Sequence, residues 1–333
     1  MKKIIFYYVL IIIIISSIPI AFGMFSSNDK EGLVTVNVAY QTNFAGAAII
    51  AVDKNMGYFE QEGLNVNPVP FISDPSEISV MNSGDVQFGF FSSETALYNK
   101  RNNIKFIYFQ NIGNSEAIIT NKNLKIENIK DLKNKIVATS LGTSCETFLK
   151  LVFKEADVDK NSVKIINMDM NGCLTALLKN KVDAICVSDS YIFKLKEKMG
   201  NDFQILLKAS DFSDKFCSVN SWAVTKEYLL ANQKTVDSFT KAISKSLDYW
   251  NTHERQVAVW TAELLEEDFL FVDEEIFSYK ILGSKELKKA IVDGSIKKCY
   301  ELQKESILNS QEKYQTTFSN DIIIWDYMND AIE

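Results

Sequence analysis

Val34-Thr35-Val36-Asn37-Val38-Ala39-Tyr40, followed by Gly46-Ala47-Ala48-Ile49-Ile50-Ala51-Val52-Asp53-Lys54-Asn55-Met56-Gly57, is the passage on which the fold turns. Valine at every second position has the period of a strand. Ala48, Ile49, Val52 and Met56 then share one face of a helix that Gly57 stops. A strand that feeds a helix so directly is half of a βαβ unit, and the alternation recurs downstream. Leu64, Val66 and Val69 mark a second strand, interrupted by Pro68. Asp74-Pro75-Ser76-Glu77 offers an N-cap, a proline at the first helical position and an acid at the third, so a helix starts there and ends near Gly84. Val86, Phe88 and Phe90 make the third strand.

A second set of units begins near residue 117. Strands are expected at Ala117 to Thr120, Ile136 to Ala138, Val163 to Ile166 and Val182 to Val187. Thr143-Ser144-Cys145-Glu146 fits a capping box before the helical face Phe148, Leu149, Val152 and Phe153. Another helix runs through Leu174, Leu177 and Leu178. After a strand-like segment from Val219 to Thr225 the chain turns helical, with Val236, Phe239, Ile243, Leu247 and Trp250 as one apolar stripe. The class is α/β with parallel sheet, in two lobes with a cleft between them. The expected division is 33–118 with 219–333 for one lobe and 119–218 for the other, with crossovers near Ala117 to Thr120 and Val219 to Thr225.

Ligands of such sheets sit outside the carboxyl ends of strands, where helix N-termini present unpaired N–H groups. That places recognition at Tyr40 to Phe44, Ser92 to Thr95, Gly142 to Glu146, Met168 to Gly172 and Ser188 to Tyr191.

Composition narrows the function. A net charge of -7 with few arginines (Arg101 and Arg255) is a poor match for nucleic acid. One histidine, His253, cannot build a multi-His metal site, so neither metal nor cofactor is expected. Five cysteines without CxxC spacing read as small buried hydrophobes, and an odd count leaves at least one thiol outside any internal pair. Cys145, beside a helix start, lacks a nearby histidine base.

Met1-Lys2-Lys3, the uncharged core from Ile4 to Ile15 and the small residues of Ala21-Phe22-Gly23 form an export signal over residues 1–23. A polar spacer follows at 24–32. The alternative is an uncleaved anchor, because Ile4 to Asn28 is long enough to span a bilayer. No cysteine precedes Cys145, so the leader carries no lipid-bearing cysteine. The expected location is the periplasm, free or anchored through this segment.

Asn55-Met56-Gly57-Tyr58-Phe59-Glu60-Gln61-Glu62-Gly63-Leu64-Asn65-Val66 resembles the opening signature of the ABC-transporter solute-binding proteins for aliphatic sulfonates, nitrate, taurine and thiamine precursors. Met81 to Gly89, Asp131 to Ala138 (with Asn134 where glycine is usual), Gly142-Thr143-Ser144 and Lys181-Val182-Asp183-Ala184 continue the likeness in order. The resemblance implies a type II periplasmic-binding-protein fold that closes on one small ligand and delivers it to an ABC permease, without catalysis. A monomer is expected.

Within that frame the candidate contacts are Phe44 and Tyr191 as ring faces, with Trp222 as a further aromatic wall. Ser92, Ser93, Thr143 and Ser144 are hydroxyl donors at helix starts. Each has an ordinary alternative, as core aromatic or helix cap. Glu94 and Asp189, with Glu116 and Asp169, would repel a sulfonate or nitrate, so a neutral or amine-bearing heterocycle such as a thiamine-precursor pyrimidine is the first expectation. The family's more usual Glu-Pro is absent at Ser188-Asp189. The competing function is an enzyme on the same fold, of menaquinone-pathway or pyrimidine-synthase type. The leader and the single histidine argue against it.

Overall fold

The computed structural model describes residues 32–72, 74–98, 103–188, 190–270, 272, 279–310 and 322–332. The leader at 1–23, all of the spacer but Gly32, Arg101 and Asp189 lie outside the described residues. Among those described, no helix is long and apolar enough to cross a membrane.

Eleven strands make two sheets among the described residues. The first joins β1 (Val34–Gln41), β2 (Leu64–Phe71), β3 (Phe88–Ser92), β4 (Ile104–Gly113), β10 (Ser218–Thr225) and β11 (Tyr279–Ile281), in the order β11-β4-β10-β3-β1-β2. The second joins β5 (Ala117–Asn121), β6 (Ile136–Thr139), β7 (Lys164–Asn167), β8 (Ala184–Val187) and β9 (Phe203–Lys208), in the order β7-β6-β8-β5-β9. Each sheet keeps a parallel set from its βα units, β2-β1-β3 and β7-β6-β8. Each also takes in an antiparallel strand directly after the chain arrives from the other sheet. These are β5 against β8 and β10 against β3.

The segments expected to cross between lobes are therefore strands wholly inside one sheet, and the passages themselves are residues 114–116 and 209–217. Because Ser218 pairs with Gly113 and Ala117 with Val187, both passages leave and enter at the carboxyl ends of the parallel strands. Those ends face each other.

Helices cover both faces of each sheet, and four apolar clusters follow. The largest lies under the Gln233–Thr252 helix, whose stripe of Val236, Phe239, Ile243, Leu247 and Trp250 is fully buried. Phe239 stacks on Phe88 at 3.8 Å and 2°.

Several local expectations needed revision. Pro68 does not interrupt β2, because β2 is an edge strand where a missing N–H is tolerated. Asn134, where the resemblance led to the expectation of glycine, has φ +64°, a left-handed turn that asparagine also tolerates. Thr143 does start a helix, Ser144–Glu155, but forms no capping box. Its hydroxyl donates to the Ser140 carbonyl at 2.7 Å, while Glu146 accepts from the Gly142 N–H at 2.6 Å. The carboxylate thus caps one residue earlier, and the threonine side chain is turned back into the loop.

Candidate ligand-binding cleft

The walls of the cleft are strand ends and the helix starts that follow them. At the end of β1, Asn43 caps the Phe44–Met56 helix by accepting the Gly46 N–H at 2.9 Å, and the Thr42 N–H is held by the Phe71 carbonyl at 2.9 Å. This fixes Gln41, Thr42, Asn43 and Ala45 along one side. β3 runs without a loop into the helix Ser93–Tyr98, so Ser92 sits at the lip. From the second sheet come Ser140, Thr143, Ser144, Met170, Ser188 and Tyr191; the first passage contributes Ser115 and Glu116, and the start of β10 contributes Ser218. Together they enclose a cavity of about 100 Å³.

The lobes already touch across it. The Thr95 hydroxyl lies between Asp74 Oδ2 (2.9 Å) and the Gly142 carbonyl (3.1 Å), joining the first sheet's side to the second's. Further out, Lys194 pairs with Glu267 at 2.5 Å, and its ammonium also lies 5.5 Å from the Tyr191 ring centre. The two sides are thus in direct contact.

The sequence candidates divide into groups. Ser92, Thr143, Ser144 and Tyr191 line the cavity together. Ser93 is one layer behind, its hydroxyl held between the Val219 carbonyl (2.9 Å) and Gln303 Oε1. Gln303 Nε2 in turn donates to Ser92 Oγ at 3.2 Å. Phe44 faces inward instead, edge-on to Trp250 with ring centres 5.3 Å apart. Trp222 is fully buried, its indole N–H donating to Gln110 Oε1 at 2.8 Å. Gln110 Nε2 continues to the Ala45 carbonyl at 2.6 Å, so the tryptophan reaches the cleft only through its wall. Asp169 caps its own helix, Met170–Leu178, by accepting the Gly172 N–H at 2.6 Å.

The charged groups among the described lining residues are Asp74 and Glu116. Asp74 is braced by Ser92 N–H (3.3 Å) and Thr95. A third carboxylate, Glu77, lies beneath, fully buried, and accepts the Phe90 N–H at 2.6 Å and Gln41 Nε2 at 2.5 Å. It orients Gln41 toward the cleft. Burial, then the charge of Asp74, pushes its carboxyl well above the ordinary range. Gly89 leaves room for it, since a Cβ there would come within 2.8 Å of Glu77 Oε1.

Glu94 is the most exposed to electrostatic penalty. Its side chain is fully buried, and neither oxygen has a hydrogen bond of good geometry. Burial chiefly, then Glu116, Asp74 and Glu146, raise its pKa well above 4.5, opposed only by the Thr147 hydroxyl. The unfolded chain releases this proton near 4.5 and the native one only at higher pH. Its contribution to stability is thus complete below 4.5 and lost as pH rises toward the native value. Glu94→Gln, which never ionises, should therefore be more stable than wild type near neutral pH. The gap should grow by up to about 1.4 kcal/mol per pH unit and vanish by pH 4. Urea midpoints between pH 4 and pH 8 check this, and a pH-independent gap would refute the assignment.

Asp74, Ser140, Asn220 and Tyr279 were missed from sequence as cavity residues, whereas Gln41 falls within the Tyr40 to Phe44 stretch expected from strand-end geometry. Ser140 lies two residues before the predicted loop Gly142 to Glu146. Asn220 and Tyr279 join the cleft only through sheet pairing, with β10 facing β3 and β11 facing β4.

Two sheets whose strand ends oppose one another across a polar cavity, linked twice by the chain, define the periplasmic-binding-protein fold. The chain belongs to the NMT1/THI5-like family, whose model matches residues 41–256. A Brucella abortus protein named only as a candidate binding protein is 24% identical over 263 residues, covering 79% of this chain and 82% of that one. A Bacillus subtilis protein named as a candidate aliphatic sulfonates-binding protein is 23% identical over 280 residues, covering 82% and 80%. The solved alkanesulfonate-binding protein SsuA of Xanthomonas axonopodis pv. citri, bound to MOPS, superposes with a TM-score of 0.65 at 14% identity, over 84% of this chain and 98% of its own.

Proposed function

We propose that this protein is the extracytoplasmic solute-binding component of an ABC importer and that its solute is a compact, amine-bearing or neutral heterocycle, a thiamine-precursor pyrimidine before a sulfonate, nitrate or taurine. The observation that carries the reading is the cavity's chemistry: hydroxyls and amides from both lobes around Asp74 and Glu116, with no lysine or arginine among its described lining residues. At about 4 Å and an effective dielectric near 20, a single carboxylate acts on a unit charge by about 4 kcal/mol. A helix N-terminus offers an anion about 0.3–1 kcal/mol, rarely near 2. The carboxylates therefore decide the preferred sign.

Size agrees. At roughly 10–15 Å³ per water on the same measure, the cavity of about 100 Å³ admits a solute of a few to about ten heavy atoms. Tyr191 supplies an aromatic face and Thr143, Ser144 and Ser92 supply hydroxyls. No chemistry is invoked, and the single histidine, His253, is stacked on Tyr249 at 4.2 Å outside the cavity.

Ligand contacts to both lobes favour closure, and the closed form is what a permease would engage. The Lys194–Glu267 pair contributes little, about 0.2–1 kcal/mol for a partly exposed bridge, so the solute itself must supply most of the preference. We take the protein to be exported and monomeric.

Mass spectrometry of solute released on denaturing freshly purified protein names the ligand and shows that it leaves unaltered. Thermal unfolding with an aminopyrimidine thiamine precursor, taurine, methanesulfonate and nitrate separates the classes. The pyrimidine should raise the midpoint, by an amount equivalent to about 2.7 kcal/mol at a hundred times its dissociation constant, and Glu116→Gln should abolish most of that rise. The largest shift coming from nitrate or methanesulfonate would overturn the charge reading.

A further inference from the structure

The sequence reading treated the five cysteines as filler, and four of them are buried. The fifth stands in a different setting. Cys299 is half-buried on the helix Ser295–Ser310, and Cys217 faces it from the end of the return passage, immediately before the cavity residue Ser218. The Cys217 sulfur is 3.4 Å from the Cys299 carbonyl oxygen, which brings the two cysteines together where the passage meets the helix.

We propose that Cys217 and Cys299 are a dithiol redox pair whose disulfide staples the return passage between the lobes to the Ser295–Ser310 helix. The two sulfurs differ in burial, Cys217 being buried and Cys299 half-buried. The Cys217 hydrogen bond, aided by Lys280 and Lys298, outweighs burial and brings the Cys299 thiol down to about 7. Cys217 moves the other way, because it donates to Cys299 and lies buried near Glu94 and Glu116. A half-buried thiol beside a buried second one is the arrangement of an attacking and a resolving cysteine.

With a disulfide oxidant such as oxidised glutathione, the Cys299 thiolate attacks one sulfur and expels one glutathione thiolate. Cys217 then loses its proton and attacks the Cys299 sulfur of the mixed disulfide, expelling the second glutathione. Two protein thiols become one disulfide, and the oxidant takes both electrons and both protons.

The place of the bond gives it a consequence. The same helix already holds the passage and the cleft's back wall through Ser306 to the Lys215 carbonyl (2.5 Å) and Gln303 to Ser92 and Ser93. A covalent link at Cys217 would make that attachment permanent, restraining the segment that must flex when the lobes part.

The test uses the intact protein. After incubation with oxidised glutathione, acid quench, alkylation and digestion, the expected result is the loss of two alkylatable thiols and a Cys217–Cys299 cross-linked peptide. Cys145, Cys173 and Cys186 should stay alkylatable on denaturation. Cys217→Ser should instead accumulate glutathione on Cys299, because no second thiol is left to resolve the mixed disulfide. Wild-type protein that keeps all five thiols, or that holds glutathione on Cys299 without passing it to Cys217, would overturn the proposal. So would a link to any other cysteine.

Discussion

Trp222→Ala should destabilise the protein by about 3–5 kcal/mol, the range for truncating a fully buried tryptophan. The ring has no exposed surface and packs tilted on Phe90 at 5.2 Å and edge-on to Phe239 at 5.4 Å. Its loss also strands Gln110 Oε1, whose amide otherwise holds the Ala45 carbonyl at the cleft wall. Trp222→Phe separates these effects. It keeps most of the bulk but removes the N–H, and a buried acceptor left without its donor costs about 1–3 kcal/mol. Guanidinium unfolding curves measure both. If the alanine variant lost no more than the phenylalanine variant, packing would not be the main contribution.

Gly46→Ala has a different origin and a smaller effect on stability, but one that reaches the cleft directly. A Cβ at Gly46 would lie 2.4 Å from the Gln41 carbonyl oxygen and 2.7 Å from the Gln41 nitrogen and Cβ. These are mostly backbone atoms of β1, which is paired on both sides by β2 and β3 and cannot yield cheaply. The strand end and the helix start must separate, moving Gln41 to Ala45 together. Overpacking of this kind costs about 1–3 kcal/mol, and ligand affinity should fall in step because those residues are one wall of the cleft. An alanine variant that unfolds at the wild-type midpoint would show that the helix start can shift without strain. Calorimetric titration with the solute identified from the purified protein completes the comparison.

What could be read from sequence follows the physics of each element. Strands with alternating or short apolar patterns and helices with one apolar stripe were found, and the loops at their junctions contain the cavity's hydroxyls. β4 was missed because its ten residues are almost all buried on both faces, so Ile104 to Gly113 shows no alternation. β11 is three residues long and leaves little signal. In sequence Phe44, just past the first strand, and Trp222, within the returning strand, both offer a ring to the cleft. Only tertiary packing tells that the first turns onto Trp250 and the second onto Gln110. Asn220 and Tyr279 depend on pairings far apart along the chain, which no local pattern encodes.

The insertion of β10 between β3 and β4 also orders events in time. The second sheet is a continuous stretch, β5 to β9, and can form as soon as residue 208 is available. The first sheet cannot close until residues 218–225 arrive to join its halves. Ser92 and Ser218 are 126 residues apart, so at about 5–20 residues per second the gap lasts roughly 6–25 s during synthesis. Through that interval β3 and β4 present open edges able to recruit the wrong strand. The strand that completes the cleft's wall is also the one whose arrival covers those open edges.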